Sequence, residues 1–236
     1  MSPRAAAFAE SRFATGEWVR GGTFPLQSQE SGRRNAPVMQ ARHAVQIVNC
    51  PLTEGLKPPR SVCLYSHMST VLIEIRRAKP ADATLVAATH DAAWRTSYRG
   101  IIPGPELEKL ISRRGPGWWE NAIAKGSRVA LLQFGDRVAG YANYGRNRAR
   151  SLFYDGEIYE LYLCPEFQGL GFGRRLFTAA RRDLAQSGLK SLVIWALTDN
   201  EPAVGFYKAL GGRAVARSSE RFGAKSLDKV AFGWQN

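Results

Sequence analysis

The sequence predicts a mixed α/β domain built around one central sheet. Segments rich in β-branched and aromatic residues alternate along the chain with segments whose apolar residues recur at helical spacing. A tight Gly-Asp turn separates two β-rich runs, residues 128–134 and 137–144, which is the pattern of an antiparallel hairpin. Regular patterns begin only near residue 71. Residues 1–66 show neither the alternation of a strand nor the helical spacing of apolar residues over any sustained stretch.

The first half of the domain is predicted to be one strand followed by an irregular group of helices. Residues 71–77 have the composition of a strand, and Asp82 is an acidic cap for an amphipathic helix over residues 83–95. Two short helices are expected next, one following a Pro-Gly-Pro segment that ends at residue 105 and one over residues 117–124.

The second half alternates strands and helices. In order, the sequence predicts a strand over residues 154–163, a helix over 173–186, a strand over 191–197, a helix capped near Asn200, and a closing antiparallel pair over 214–219 and 229–234. Gly188 follows the first of these helices, where glycine commonly ends a helix.

The composition is that of a globular protein with a strongly basic surface. Its 236 residues, 44% of them hydrophobic, are enough for one large or two small domains. No apolar run approaches the ~18 residues of a spanning helix, so no membrane segment is expected. A net charge of +13 favours anionic partners such as nucleic acid or a nucleotide cofactor. Aromatic residues are not interleaved with the arginines, so nucleic-acid binding is not expected.

The cysteines and histidines indicate neither a disulfide framework nor a metal site. Cys50, Cys63 and Cys164 are odd in number and widely spaced, which is typical of reduced thiols in a cytoplasmic protein. The three histidines form none of the ligand spacings of zinc sites. We therefore expect a cytoplasmic protein without a bound metal.

Residues 1–67 are predicted to be a disordered leader or an extension upstream of a true start at Met68. The segment is rich in Arg, Ser, Gly, Pro and Gln. Glu10 and Glu17 count against an organelle transit peptide, and the apolar stretch of a secretory signal is missing. Residues 68–236 are the predicted folded domain.

The run Gln-Gly-Leu-Gly-Phe-Gly-Arg, residues 168–174, is the strongest candidate for a ligand site. Its glycines carry no Cβ, so successive backbone N–H groups can converge on an anion at the start of the next helix. The full dinucleotide fingerprint and the Gly-Lys-Ser/Thr of a Walker loop are both missing. The pattern predicts a diphosphate cradle, with a simple tight turn as the alternative.

Two blocks closely resemble the GNAT superfamily of N-acetyltransferases. Residues 157–174, Glu-Ile-Tyr-Glu-Leu-Tyr-Leu-Cys-Pro-Glu-Phe-Gln-Gly-Leu-Gly-Phe-Gly-Arg, are similar to the strand and helix that flank the cofactor loop of that family. Residues 200–212 resemble its Asn-x-x-Ala-x-x-Phe-Tyr-x-x-x-Gly-Phe segment. The resemblance covers about residues 72–234. It departs at Gly212, where the family usually has Phe, and we expect looser packing there.

The resemblance implies a mostly antiparallel sheet of six to seven strands, splayed between the fourth and fifth strands and flanked by about four helices. Acetyl-CoA is the implied cosubstrate, and it would lie where a bulge ends the ladder between the splayed strands. The implied cofactor-binding residues are Leu161, Leu163, Gln168, Gly169, Leu170, Gly171, Phe172, Gly173, Arg174 and Asn200. The two leucines would bind through their backbones, although core packing also explains them, and Asn200 could act only as a helix cap.

By the same resemblance, Tyr207 would protonate the departing thiolate, although a packing role also explains this residue. The attacking amine must be neutral, so a base, or water leading to one, is required. Glu157 and Glu160 are the candidates, and a strand period of two predicts that they lie on opposite faces. Only one would then face the site. Glu157 is preferred because it matches the base of histone-type relatives, with a solvated or salt-bridged carboxylate as the alternative.

The acceptor is expected beside the predicted helical segments, where Trp94 and Tyr98 could flank an amine, although helix packing explains both equally well. Candidate acceptors are a peptide or protein amino terminus, an amino acid, a polyamine or a xenobiotic amine. The sequence leaves open whether the protein forms a homodimer. The predicted activity is that of an acetyl-CoA-dependent N-acetyltransferase, and a non-catalytic acetyl-CoA-binding regulatory module is the alternative.

Overall fold

The structure is a computed structural model that describes residues 43–45, 71–149 and 151–235, which form one mixed sheet with helices on both faces. The strands are β1 (His43–Val45), β2 (Val71–Arg77), β3 (Arg128–Phe134), β4 (Arg137–Arg146), β5 (Gly156–Leu163), β6 (Leu192–Leu197), β7 (Arg213–Phe222) and β8 (Lys225–Trp234). The helices are α1 (Ala83–Tyr98), α2 (Gly104–Ser112), α3 (Pro116–Ala124), α4 (Phe172–Gln186) and α5 (Glu201–Ala209).

The predicted mixed α/β fold with one central sheet is confirmed. In the described part of the chain the sheet has seven strands, or eight with the three-residue β1, and its order is β1-β2-β3-β4-β5-β6-β8-β7. Five helices flank it instead of about four. The closing strands β7 and β8 are ten residues each, longer than predicted, because much of β7 is solvent-exposed and has no apolar alternation to mark its ends.

Different helices cover the two faces of the sheet because side chains alternate along each strand. On β3, Ala130 and Leu132 pack in a core cluster with Leu176 of α4. Val129 and Leu131 point to the other face, where they pack with α1 and α3. The chain therefore buries two apolar layers, one on each side of the sheet.

The sheet is nearly split between β5 and β6. This pair is parallel and has only two registered residue pairs, Gly156 with Leu192 and Glu157 with Val193. Beyond them the two strands diverge. When the short β1 is set aside, β5 and β6 are the fourth and fifth strands, so the predicted splay between them is confirmed.

A bulge in β5 accompanies the split. In the ladder with β4, Asn143 lies opposite Glu160 whereas Tyr144 lies opposite Ile158, so Tyr159 is an additional residue on β5. The bulge shifts the alternation of side chains by one residue for the rest of the strand.

The prediction that Glu157 and Glu160 lie on opposite faces is therefore wrong. Ile158 packs with the α4 cluster, and so do Leu161 and Leu163, which an unbroken period of two would not allow. Glu157 precedes Ile158 and Glu160 precedes Leu161, so both carboxylates lie on the face towards α1 and α3.

The expectation of loose packing at Gly212 is also wrong. The ring of Trp234 occupies the space beside it, and a Cβ at Gly212 would lie 2.6 Å from Trp234 Cζ2. Trp234 Nε1 also donates to the Leu210 carbonyl oxygen at 2.9 Å. The Trp234 indole therefore packs at Gly212, the position where the resemblance implied a phenylalanine.

The predicted leader falls on residues 1–67, of which only His43–Val45 are described, as a strand antiparallel to β2. Cys50, Cys63 and His67 lie outside the described residues, and the assignment of residues 1–67 stays a prediction. Of the helices that the structure describes, none is long and apolar enough to cross a bilayer.

Candidate active site

The gap between β5 and β6 is a cleft of about 450 Å³, walled by both strands, the loop before α4, and α5. The predicted site residues that line it are Tyr98, Glu160, Leu161, Leu163, Gln168, Gly169, Gly171, Gly173, Arg174, Asn200 and Tyr207. Those that do not line it are Trp94, Glu157, Leu170 and Phe172. The cleft thus brings together most of the residues selected from the two sequence blocks.

The loop between β5 and α4 has a backbone conformation that favours glycine. Gly169 has a φ of 77° and Gly171, the residue before α4, has a φ of 78°. Gly173 is buried in the first turn, where a Cβ would lie 3.1 Å from the ring of Phe206. The Arg175 N–H donates to the Gly171 carbonyl oxygen at 3.3 Å. The N–H groups before it have no helical acceptor and are left for a ligand.

Charge and packing around this helix N-terminus complement an anion. Arg174 and Arg175 are exposed on the first turn, beside the positive end of the helix dipole. Phe172 is buried, and its ring lies 5.5 Å from that of Phe134, which anchors the loop to the sheet. Leu170 is 59% exposed and points away from the cleft lining. Backbone and arginines therefore define the loop end of the cleft.

β5 offers its backbone edge to the cleft beyond the bulge. Leu161 and Leu163 pair on one side with Ala142 and Gly140 of β4. On the other side neither has a strand partner among the described residues. Their side chains pack against the α4 cluster. Core packing and backbone exposure, the two roles considered for these leucines, are thus compatible.

Asn200 and Tyr207 place α5 along the opposite wall. The Asn200 side chain accepts a hydrogen bond from the Ala203 N–H at 3.2 Å, so it caps α5 while it also lines the cleft. Tyr207 is 6% exposed, and burial raises the pKa of its hydroxyl well above the usual value of a phenol. A phenol that keeps its proton is a hydrogen-bond donor.

Glu160 and Glu157 have different partners. Glu160 lines the cleft and accepts from Arg114 Nη1 and from Tyr141 Oη, each at 3.0 Å. Glu157 is 2% exposed and accepts from the Arg148 backbone N–H at 2.9 Å and from Arg148 Nη2 at 2.8 Å. Only Glu160 has access to the cleft, because Glu157 is enclosed by Arg148 outside the lining.

The two aromatic candidates for acceptor binding lie side by side on α1. The Trp94 and Tyr98 rings are 5.0 Å apart, and Tyr98 Oη lies 2.7 Å from Tyr162 Oη. Burial raises the pKa of Tyr98 to about 12. Tyr98 lines the cleft, whereas Trp94 lines a smaller adjoining cavity of about 30 Å³.

Sequence reasoning missed a buried ion pair in this smaller cavity. Lys229 Nζ lies 3.2 Å from Glu220 Oε2 and 5.0 Å from the centre of the Trp195 ring, and Trp195 also lines the cleft. Glu220 and Lys229 are brought together by the register of the β7–β8 hairpin. No local pattern specifies that register, so no signal in the sequence could have identified the pair.

A sheet split between two parallel strands, with a glycine-rich helix N-terminus at the opening, defines a class of protein that binds an extended anionic cofactor across its sheet. Residues 87–211, from α1 to the end of α5, match the Acetyltransferase (GNAT) family. The chain therefore belongs to the GNAT family, and it is an acyltransferase of the N-acetyltransferase class.

Curated relatives agree with this assignment. An uncharacterized N-acetyltransferase, YuaI of Bacillus subtilis (strain 168), is 34% identical over 163 residues, which are 69% of this chain and 93% of YuaI. The mycothiol acetyltransferase of Streptomyces scabiei (strain 87.22) is 29% identical over 177 residues, 72% of this chain. The match spans 54% of that enzyme, so the chain corresponds to about half of its length.

Solved structures share the fold. The PaiA N-acetyltransferase of Thermoplasma acidophilum, in complex with coenzyme A, superposes with a TM-score of 0.54 at 17% identity and covers 66% of this chain and 97% of its own. The ribosomal-protein-alanine N-acetyltransferase of Brucella melitensis has a TM-score of 0.54 at 19% identity, covering 69% and 99%. At such identities the likeness concerns the fold alone.

Proposed function

We propose that this chain transfers the acetyl group of acetyl-CoA to a primary amine by direct attack. The observation that carries the proposal is the single cleft that joins the glycine-rich loop to Glu160 and Tyr207. The loop end suits a diphosphate, and the free edge of β5 suits the extended amides of the pantetheine arm. The Thermoplasma neighbour was solved with coenzyme A, which supports this ligand.

In this arrangement the cofactor is held mainly by backbone groups. The N–H groups of residues 168–174 bind the diphosphate, and Arg174 adds a charge-assisted contact. Leu161 and Leu163 bond the pantetheine amides as a strand would. Asn200 lies beside the same arm while it caps α5.

The chemistry requires three proton transfers. The acceptor ammonium first loses a proton to a base, because only the neutral amine has a lone pair for the thioester carbonyl. The C–N bond then forms, the C–S bond breaks, and CoA leaves as a thiolate. Tyr207 donates its phenolic proton to the thiolate and recovers a proton from the new amide nitrogen. One proton is released overall, through the base.

We assign the role of base to Glu160 rather than to Glu157, the residue preferred on resemblance. Glu160 lines the cleft, whereas Glu157 is paired with Arg148 away from it. Arg114 and Tyr141 hold the Glu160 carboxylate by two hydrogen bonds, which fixes its orientation towards the cleft.

The acceptor is proposed to be a small-molecule amine that enters beside Tyr98 and Trp195. These aromatic side chains lie where the cleft meets the smaller cavity, so an ammonium arriving there would contact their rings. The Streptomyces relative is named for mycothiol, which supports a small-molecule acceptor in general. A peptide amino terminus is the second acceptor class to include in a panel.

Replacement of Tyr207 by Phe tests the assignment. We expect Tyr207→Phe to lower kcat about 10²-fold, because the leaving thiolate loses its proton donor, and to leave the KM for acetyl-CoA nearly unchanged. A thiol-release assay over a panel of amines measures both. Tyr144→Phe is the matched control, since Tyr144 is a buried tyrosine on the α4 face of the sheet, outside the cleft.

The pH profile gives the same test a second readout. A raised pKa means that the Tyr207 phenol keeps its proton to higher pH, so kcat should show no alkaline limb near pH 10, the value of a free phenol. An alkaline limb at about 10 that disappears in Tyr207→Phe would contradict this expectation. If the wild-type chain binds acetyl-CoA but releases no thiol with any amine, the chain is not an enzyme, and the alternative of a non-catalytic acetyl-CoA-binding regulatory module is accepted.

A further inference from the structure

Four buried polar atoms on the α1–α3 side of the sheet have no hydrogen-bond partner among the described residues. They are His90 Nε2, Trp94 Nε1, Trp119 Nε1 and Asn143 Oδ1. His90 and Trp119 are fully buried, and Trp94 and Asn143 are at most 8% exposed. Buried polar groups in native proteins are almost always satisfied, by protein or by ordered water. Four such atoms in one region therefore require a common explanation.

These side chains form a cluster next to Glu160. The His90 ring stacks on Trp94 at 4.8 Å between centroids and lies 6.0 Å from the ring of Trp119. Asn143 lies directly opposite Glu160 in the β4–β5 ladder, so the two side chains are neighbours on one face. The unpartnered atoms therefore lie behind the carboxylate to which we assign the role of base.

The cluster has the hydrogen-bonding character of a water site. His90 Nδ1 lies 3.4 Å from Asp91 Oδ1, a contact that assigns the imidazole proton to Nδ1 and leaves Nε2 as an acceptor. Burial lowers the pKa of His90, which keeps the ring neutral. The two indole N–H groups are donors, and Asn143 Oδ1 is an acceptor. A buried water molecule typically bonds to two to four such groups.

We propose that His90, Trp119 and Asn143 hold a buried water behind Glu160, and that this water positions the carboxylate in the cleft. The two protons of the water go to His90 Nε2 and Asn143 Oδ1, so the water acts on Glu160 through the elements that it joins, while Arg114 and Tyr141 bond the carboxylate directly. A water fixed between α1, α3 and β4 ties the elements around Glu160 to one another. His90 acts in this way as a positioning residue. The water site stands on the buried atoms alone, whereas its effect on turnover rests on the proposed function.

A crystal structure of the full chain that defines ordered water tests the site itself. We expect a water within hydrogen-bond distance of His90 Nε2 and of at least one of Trp119 Nε1 and Asn143 Oδ1. A dry cluster, or side chains that satisfy one another directly, overturns the proposal.

Two substitutions at His90 test its effect on turnover. His90→Phe removes the acceptor, and we expect kcat to fall about tenfold with the KM for acetyl-CoA unchanged, a part of the usual contribution of a general base. His90→Gln retains an amide that can hold the same water, so kcat should stay within about twofold of wild type. Thr89→Val is the control, because the hydroxyl of this buried neighbour donates within α1, to the Leu85 carbonyl oxygen, and lies outside the cluster of unpartnered atoms.

Each kinetic outcome decides the matter. If both His90 variants lose kcat equally, the imidazole itself is required and positioning through water is wrong. If His90→Phe keeps the wild-type kcat, the water has no role in turnover. Failure of the proposed function is recognised separately: the wild-type chain would then release no thiol with any amine, or Glu160→Gln would retain full activity if only the assignment of the base is wrong, while the water density at His90 persists in either case.

Discussion

Glu157 and Glu160 lie on one face of β5, yet we expect an amide substitution to lower activity at Glu160 and stability at Glu157. Glu160→Gln keeps the size of the side chain and removes its basicity, so kcat should fall about 10²-fold while the KM for acetyl-CoA stays close to wild type. Thiol release at saturating amine and acetyl-CoA measures the change.

Glu157→Gln is the matched control for this substitution. It breaks the ion pair between the buried Glu157 carboxylate and the partly exposed Arg148, so the variant should melt at a lower temperature with kcat within about threefold of wild type. A larger loss of kcat in Glu157→Gln than in Glu160→Gln would return the role of base to Glu157.

At the residue scale, the sequence motifs selected residues that the structure brings to one cleft. Gly171, Asn200 and Tyr207 all line the cleft, as their motifs indicated. The face of Glu160 was not predictable, because the bulge at Tyr159 arises from the pairing of β5 with β4 and not from the sequence of β5 alone. His90 was considered only as a possible metal ligand, a role that its spacing did not support; its burial near Glu160 depends on how α1 packs and could not be predicted.

At the scale of elements, the loop before α4 depends on the backbone of Gly171. Its φ of 78° disfavours any residue with a Cβ, by about 1–2 kcal/mol. Gly171→Ala should therefore distort the anion cradle and raise the Kd for acetyl-CoA roughly tenfold, a change that isothermal titration measures.

Gly205→Ala controls for the removal of a glycine as such. Gly205 lies within α5 without a positive φ, and a Cβ there meets no atom within 4 Å. Alanine should stabilise that helix by up to about 1 kcal/mol and leave acetyl-CoA binding unchanged. Equal weakening of binding by both substitutions would mean that the conformation of Gly171 is not what the cradle requires.

The ends of elements were predicted best where a capping residue marks them. Pro and Asn at the start of α5, and glycines after α4 and α5, gave boundaries close to those observed. α1 runs on to Tyr98 without such a signal, because packing of Trp94 and Tyr98 against Tyr162 extends it. Tertiary contacts therefore set the boundary that the local pattern left open.

At the scale of the whole molecule, the sequence predicted the elements, whereas the resemblance supplied the mostly antiparallel sheet and the position of its splay. Alternation and turn residues identify strands and helices, but nothing local states that β8 lies between β6 and β7. The splay of β5 and β6 likewise follows from the bulge and the crossover through α4, which are properties of the assembled sheet.

In the proposed arrangement both walls of the cleft contact acetyl-CoA, so the ligand should stabilise the folded chain as a whole. At a ligand concentration of about 100 Kd, the gain in unfolding free energy is about 2.7 kcal/mol. Thermal melts with and without acetyl-CoA measure it, and Gly171→Ala should shift less at the same concentration. An unchanged melting temperature of the wild-type chain would contradict the assignment of the cleft.

The two rungs that join β5 to β6 also bear on how cooperatively the molecule unfolds. The ladder divides into β1–β5 on one side and β6, β8 and β7 on the other. The parts are joined in addition by the core cluster under α4 and by apolar contacts of α1 and α2 with Leu197, Phe222 and Leu227. Without ligand, these two parts can open with different free energies, and amide hydrogen exchange would report them as separate units. A cofactor that bonds to the free edge of β5 and packs on α5 links the parts. We expect acetyl-CoA, bound in this way, to make the two units exchange as one.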